Sequence, residues 1–178
     1  MPAETVDLAA LAPELPQNRE LLNYWRQLRG DRPGAPAREA FDPMEVPRLL
    51  PNIMLLERSD DSGPRVRLMG TALAERHQHD LTGQPLLPAL HETLRRSAAA
   101  TYEQVLSLPC VDVLLRRILR VSGATPVVEV LHLPWQDRGG TVRFVMTAVW
   151  EADAEVALAH HICDSDWQAA GDRRRALL

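Results

Sequence analysis

Residues 53 to 83 constrain the fold more tightly than any other stretch of this chain. Ile53 to Glu57 is an apolar, strand-forming run, and Arg65 to Met69 alternates, with Val66 and Leu68 on one side and Arg65 and Arg67 on the other. Ser59-Asp60-Asp61-Ser62-Gly63-Pro64 between them is a turn sequence, so the two runs read as a hairpin, and Asp60 and Asp61 are turn carboxylates without a catalytic setting. Thr71 opens a short helix through about Gln78, and a second short element follows Asp80 before Pro85 and Pro88 interrupt the chain. His91 to Leu108 reads as the longest helix, with Leu94, Ala98, Thr101, Tyr102 and Val105 sharing a face. Val111 to Val121, Val127 to Trp135 and Val142 to Trp150 are then rich in β-branched and apolar residues, with Gln136-Asp137-Arg138-Gly139-Gly140 as a hairpin turn. Two strands, helices and three strands predict an α+β fold, a five-stranded antiparallel sheet with helices inserted between strands 2 and 3.

The flanks are less regular. Residues 1 to 17 carry prolines and acids with little periodicity and are expected to be a flexible lead. From Asn18 to Gly30 a helix is predicted, with Leu21, Leu22, Trp25 and Leu28 at helical spacing, Asn18 as its cap and Gly30 as its stop. Residues 31 to 37 form a Gly/Pro-rich loop. Asp42-Pro43-Met44-Glu45 has the composition of a capping box, kept short by Pro47 and Pro51. The domain is therefore placed at residues 18–150. Residues 151–178 are expected to form a C-terminal helix, over Ala154 to Ile162, and a tail that includes Arg173, Arg174 and Arg175.

Composition removes several function classes. A chain of 178 residues holds one domain with a real core. Its 24 acidic and 20 basic side chains leave a net charge of −4, so nucleic acid is not the expected partner. The basic residues are all arginine, which excludes Schiff-base lysine chemistry, pyridoxal phosphate anchoring and the Walker phosphate loop. Cys110 and Cys163 have no paired spacing, and neither a signal peptide nor an apolar run of about 20 residues is visible. A cytoplasmic protein without a membrane span is the expectation.

Several short pieces carry a resemblance: Tyr24-Trp25 in the first helix, Pro36-Ala37-Arg38 before Asp42-Pro43, Leu50-Pro51, Gly70-Thr71, Leu81-Thr82-Gly83, and Leu133-Pro134-Trp135 ahead of the Gly-Gly turn. In this order they resemble a family of PAS-like proteins from alphaproteobacteria, the PAS_5 group, over roughly residues 18 to 150. The resemblance implies a sheet cradled by short helices and used in signalling, with no catalytic residues to carry over. Trp135, where relatives often have an aliphatic residue, and Pro47, inside the short helix, depart from the family pattern and could reshape the pocket or the domain's edge.

Strand alternation predicts which residues face inward. Val142, Phe144, Met146, Ala148 and Trp150 form the core set of one strand, and Val113, Leu115, Leu119 and Val121 that of another. Arg65, Arg67, Arg116, Arg120 and Arg143, with Glu129 among them, then gather on an outer face, either solvated or a contact surface. Arg117 and His132 share parity with the core sets. If they point inward they could hold an anionic ligand, such as a carboxylate, against Tyr102, Phe144 and Met146; a bulge would return Arg117 to solvent. The helix bearing Leu21, Trp25 and Leu28 is the expected dimer or partner surface.

Other constellations carry less. His160, His161 and Cys163, with Asp164 and Asp166 nearby, lack a metal-ligand spacing and read as a solvated helix, so no metal is expected. His77 and His79 could ligate a haem, although no Cys-x-x-Cys-His attachment exists, and no cofactor is assigned. No Gly-x-Ser-x-Gly elbow positions a nucleophile. The expectation is a sensory or interaction module with no output domain of its own and no catalysis, acting through a protein partner or a homodimer. Two rivals stand beside it: a small enzyme with a cone-shaped cavity using His132, Arg117 and Glu129, and a ligand-free adaptor whose interior is filled by Phe144, Met146, Trp135 and Trp150.

Overall fold

Proline and glycine set the boundaries of the first helix, α1 (Pro16–Arg29). Pro16 sits where a missing N–H costs nothing, and Gly30 takes φ 58° just past the end. The computed structural model describes residues 4–5, 7–59, 63–118, 126–153 and 173–178. After α1 come three 3-10 turns, Arg38–Ala40, Pro43–Glu45 and Leu50–Asn52, the second capped by Asp42, whose side chain accepts from the Met44 N–H. The remaining elements are β1 (Glu4–Thr5), which precedes α1, then β2 (Ile53–Glu57), β3 (Arg65–Met69), α2 (Thr71–His77), α3 (Leu86–Ala89), α4 (Glu92–Ser107), β4 (Cys110–Arg117), β5 (Val127–Gln136), β6 (Val142–Glu151) and β7 (Arg173–Leu177).

The strands form one sheet in the order β1-β7-β4-β5-β6-β2-β3. Six of them pair antiparallel, while the two-residue β1 lies parallel to β7. The predicted α+β class and antiparallel sheet are present, but the sheet is wider than the five strands expected. The extra width comes from Arg173–Leu177, which the sequence suggested was a tail and which pairs along β4 from Cys110 to Leu114. The N-terminal lead is also packed: Leu11 and Leu15 are buried, and the Arg26 guanidinium donates to the carbonyls of Leu8 and Leu11. The Ala154–Ile162 helix, Asp60, Asp61, Leu119, Arg120 and Val121 lie outside the described residues.

The central strands are covered on both faces, and the predicted sidedness is inverted. Helices α2, α3 and α4 lie over the face formed by Met54, Leu114, Arg116, Val128, Val130, His132, Thr147 and Val149. The cross-strand register places Asp112 opposite His132 and His132 opposite Thr147 on this face. The other face carries Leu115 opposite Glu129, Leu133 opposite Met146 and Trp135 opposite Phe144. It is covered by α1 and the turns that follow. Phe144 and Met146, expected beneath the inserted helices, are therefore on the opposite side, and so is Arg117, while Arg116 points toward the helices. The cause is that β5 is buried continuously from Val127 to Trp135, so alternation no longer distinguishes the sides.

The expected partner surface is corrected in the same way. Leu21 and Trp25 are buried, Leu28 packs partly against the same core, and the Trp25 indole Nε1 donates to the Pro134 carbonyl at 3.0 Å. This stripe serves the chain's own second sheet face. Asn18, expected as the cap, donates instead to Glu129 Oε1 at 3.0 Å, and the same carboxylate accepts from the backbone N–H groups of Glu14 and Leu15. Glu129 thereby satisfies free donors at the entry to α1 and fastens the helix to β5. Replacing Trp25 with Ala should lower the unfolding free energy by about 3–5 kcal/mol in urea titration, as for other large-to-small core changes. A loss under about 1 kcal/mol would show that α1 is not part of the core.

Candidate functional site

Between the sheet and α2, α3 and α4 lies a cavity of about 220 Å³. Leu114, Val128 and Val130 line its sheet side, and Leu73, Leu86 and Leu94 its helix side. A cavity of about 150 Å³ is enough to hold benzene, so this space suits a molecule built on a single ring or a short aliphatic chain. Polar groups converge on it from several elements: Arg116 on β4, His132 on β5, Thr147 on β6, and Thr101 and Tyr102 on α4.

Asp112 organises the polar end. It is fully buried on β4 and accepts from three cation-capable side chains. Arg173 Nε donates to Oδ1 at 2.7 Å, Arg175 Nη2 donates to the same oxygen at 2.9 Å, and His132 Nδ1 lies 3.2 Å from Oδ2. Arg173 also donates to the Thr101 hydroxyl at 2.8 Å, which links the network to α4. Burial alone would push the Asp112 carboxyl up, but the hydrogen bonds and charge of His132 and Arg173 outweigh it and hold the group well below the usual carboxylate range. Tyr102 stacks edge-on to His132 at 5.4 Å, with its hydroxyl 3.5 Å from Thr147 Oγ1. Burial raises its phenol to about 12, so Tyr102 is a neutral hydrogen-bonding group.

Arg116 is the unbalanced member. Its residue is 8% exposed, its Nη1 donates to Ser97 Oγ at 3.3 Å, and its buried Nε has no hydrogen-bond partner. Among the described residues no carboxylate lies within ion-pairing distance of it. Burial first, and then the nearby Arg173 charge, pull its guanidinium below the usual range. At the cavity wall Arg76 donates to the Val149 carbonyl at 3.1 Å and approaches Glu151 to 3.9 Å. The facing His77 is lowered by burial and by Arg76.

Of the residues singled out by sequence, Tyr102 and His132 are brought together at the cavity. Arg117, Phe144 and Met146 are not, for the parity reason given above. The trio of the enzyme alternative is also divided, with Glu129 and Arg117 on the α1 face and His132 on the other. Glu129 is engaged at the start of α1, where burial raises its carboxyl. His77 lines the cavity, whereas His79 is exposed and lies 3.2 Å from Gln84 Nε2. A single-ring space does not accommodate the four-pyrrole plane of a haem. His160, His161 and Cys163 lie outside the described residues, among which no group of three His, Cys, Asp or Glu side chains could hold a metal ion. Cys110 is buried, which raises its thiol to about 11 and leaves it unreactive.

Asp112, Arg116, Arg173 and Arg175 were missed as site residues. One signal was available: Asp112 interrupts the apolar run from Cys110 to Leu115, and a carboxylate there needs partners. No sequence feature identifies arginines more than 60 positions away as those partners.

The model of the PAS_5 family, described as a PAS domain, matches residues 14–149. No curated protein matches the chain. Among solved structures, the dark structure of the blue-light photoreceptor Aureochrome1 LOV has a TM-score of 0.50 at 10% identity, over 67% of this chain and 88% of that one. The PAS domain of BvgS from Bordetella pertussis has a TM-score of 0.49 at 16% identity, over 68% and 94%. VqmA bound to DPO has a TM-score of 0.48 at 14% identity over 65% of this chain, which covers 59% of that structure and 54% of a second, Vibrio cholerae VqmA structure. At these identities the likeness concerns the fold alone.

Asp112 yields a pH-dependent prediction. Its carboxyl ionises at lower pH in the folded protein than in the unfolded chain, so its contribution is complete above about pH 4 and is lost as pH falls further. Asp112→Asn should cost roughly 3–5 kcal/mol at neutral pH, because Arg173 and Arg175 lose their buried counter-charge. Urea titrations of both proteins at neutral pH and near pH 3 should show the gap narrowing in acid. A gap that is absent, or that does not change with pH, would contradict this role.

Proposed function

Because the chain belongs to the PAS_5 family of PAS domains, we propose that it is a sensory module whose input is a small molecule held between the sheet and helices α2 to α4. The observation that carries this reading is the cavity, walled mainly by aliphatic side chains and closed at one end by convergent polar groups, which is the composition of a small-molecule site. PAS domains are generally sensory rather than catalytic modules. Among the described residues no helix is long and apolar enough to cross a membrane. A cytoplasmic protein acting through contact with another protein or a second copy is consistent with that and with the net charge of −4.

A route from input to output is built from the same residues. Thr101 of α4 and Asp112 of β4 both hold Arg173, so a ligand that moves α4 bears directly on β7. β7 in turn pairs with β1, bringing both ends of the described chain to one side of the sheet. A ligand shifts such an arrangement only by binding its two states unequally.

Native mass spectrometry of the protein purified from its own host tests the input. The expected result is a retained species of at most a few hundred daltons, as the cavity volume requires. A single apo mass, together with no thermal stabilisation by any member of a small-molecule library, would favour the ligand-free adaptor.

A further inference from the structure

Arg116 is in a position that proteins seldom leave uncompensated. A buried guanidinium loses its hydration and is stable only when a counter-charge and hydrogen-bond acceptors replace it. Arg173 and Arg175 meet this requirement through Asp112, and Arg76 meets it through Glu151 and the Val149 carbonyl. Arg116 has a single neutral hydroxyl from Ser97, and its Nε is buried and unbonded. The nearby Tyr102 does not supply an anion, being a neutral phenol. Two guanidinium groups line the cavity itself, and of these Arg76 approaches Glu151 whereas Arg116, among the described residues, has no carboxylate within ion-pairing distance.

We propose that the ligand of this cavity is a compact monocarboxylic acid, its carboxylate received by the Arg116 guanidinium and its apolar body lying against Leu114, Val128 and Val130. The planar fork of arginine matches the two oxygens of a carboxylate, and a charge-assisted pair of this kind is among the stronger polar contacts a protein makes. Phosphate esters and dicarboxylates fit less well, since most of the remaining wall is aliphatic and would leave a second anionic group unpaired. The volume selects an acid with one aromatic ring or a short alkyl chain. The assignment rests on the small-molecule reading of the same cavity and narrows it to one chemical class.

The test uses matched pairs of probes: phenylacetate, 3-phenylpropionate and hexanoate, each against its neutral primary amide. Binding is measured by calorimetry and by thermal shift on the full chain. At least one acid should bind the wild type about tenfold or more tightly than its amide, the equivalent of a single well-made ionic contact. Arg116→Met should remove that preference while leaving amide binding within about threefold, and should itself fold, because an apolar side chain replaces an unpaired buried charge. If Arg116→Met does not fold, Arg116→Lys serves, with the acid preference reduced but present. Equal binding of acid and amide to the wild type would overturn the carboxylate assignment and leave the cavity as an input site. An acid preference that persists in Arg116→Met would overturn the role of Arg116. Failure of every probe to bind, with no molecule retained from the host, would overturn both readings.

Discussion

A single buried carboxylate holds the polar part of this structure together. Asp112 has no contact with solvent and accepts from Arg173, Arg175 and His132. These donors come from the C-terminal strand and from the neighbouring strand on the other side, and Arg173 reaches on to α4 through Thr101. A carboxylate in an apolar interior costs several kcal/mol unless such partners surround it, so the strand order β7-β4-β5 and the seat of α4 are coupled to its charge. Asp112 is fully engaged by these partners, and Arg116, four positions along β4, has no carboxylate within ion-pairing distance among the described residues.

The second constraint is that the central strands of the sheet are covered on both faces. The Trp25 helix, pinned by Pro134 and Glu129, covers one side, and α2 to α4 cover the other with a gap between. Near-continuous burial of β4 and β5 follows from this. It also explains the space occupied by Trp135, whose ring meets Phe41 edge-on at 5.7 Å on the α1 side. That aromatic belongs to the packing of α1, away from the cavity.

Much of the fold was legible in the chain. The 53–69 hairpin, the helix ending at Gly30, the long helix before Pro109 and the paired strands around the Gly-Gly turn all follow from hydrophobic period and turn chemistry, which act locally. Two things were not legible. Which side of each strand faces the cavity depends on parity, and strands buried on both sides carry no parity signal, so Arg117 and Phe144 were placed where Arg116 and Thr147 belong. The identity of β7 was hidden as well, because Arg173-Arg174-Arg175 has the composition of a solvated tail, yet it pairs along β4, where Arg173 and Arg175 meet Asp112, 61 positions before the first of them. Tyr102 and His132, both singled out from the sequence, do line the cavity, because their neighbours in sequence are unambiguous core residues, although for His132 the parity argument chose the wrong companions.

The cavity, the arginine facing it and the ionic link between α4 and β7 carry the reading proposed here, that of a domain whose input is a small anion. A crystal structure of the protein grown with 3-phenylpropionate tests that reading most directly. Density for the acid inside the cavity, with its carboxylate oxygens about 2.7–3.0 Å from the Arg116 guanidinium and its ring against Leu114, is the result predicted. A cavity closed by the protein's own side chains, or an Arg116 turned away to an acidic partner elsewhere in the chain, would contradict it.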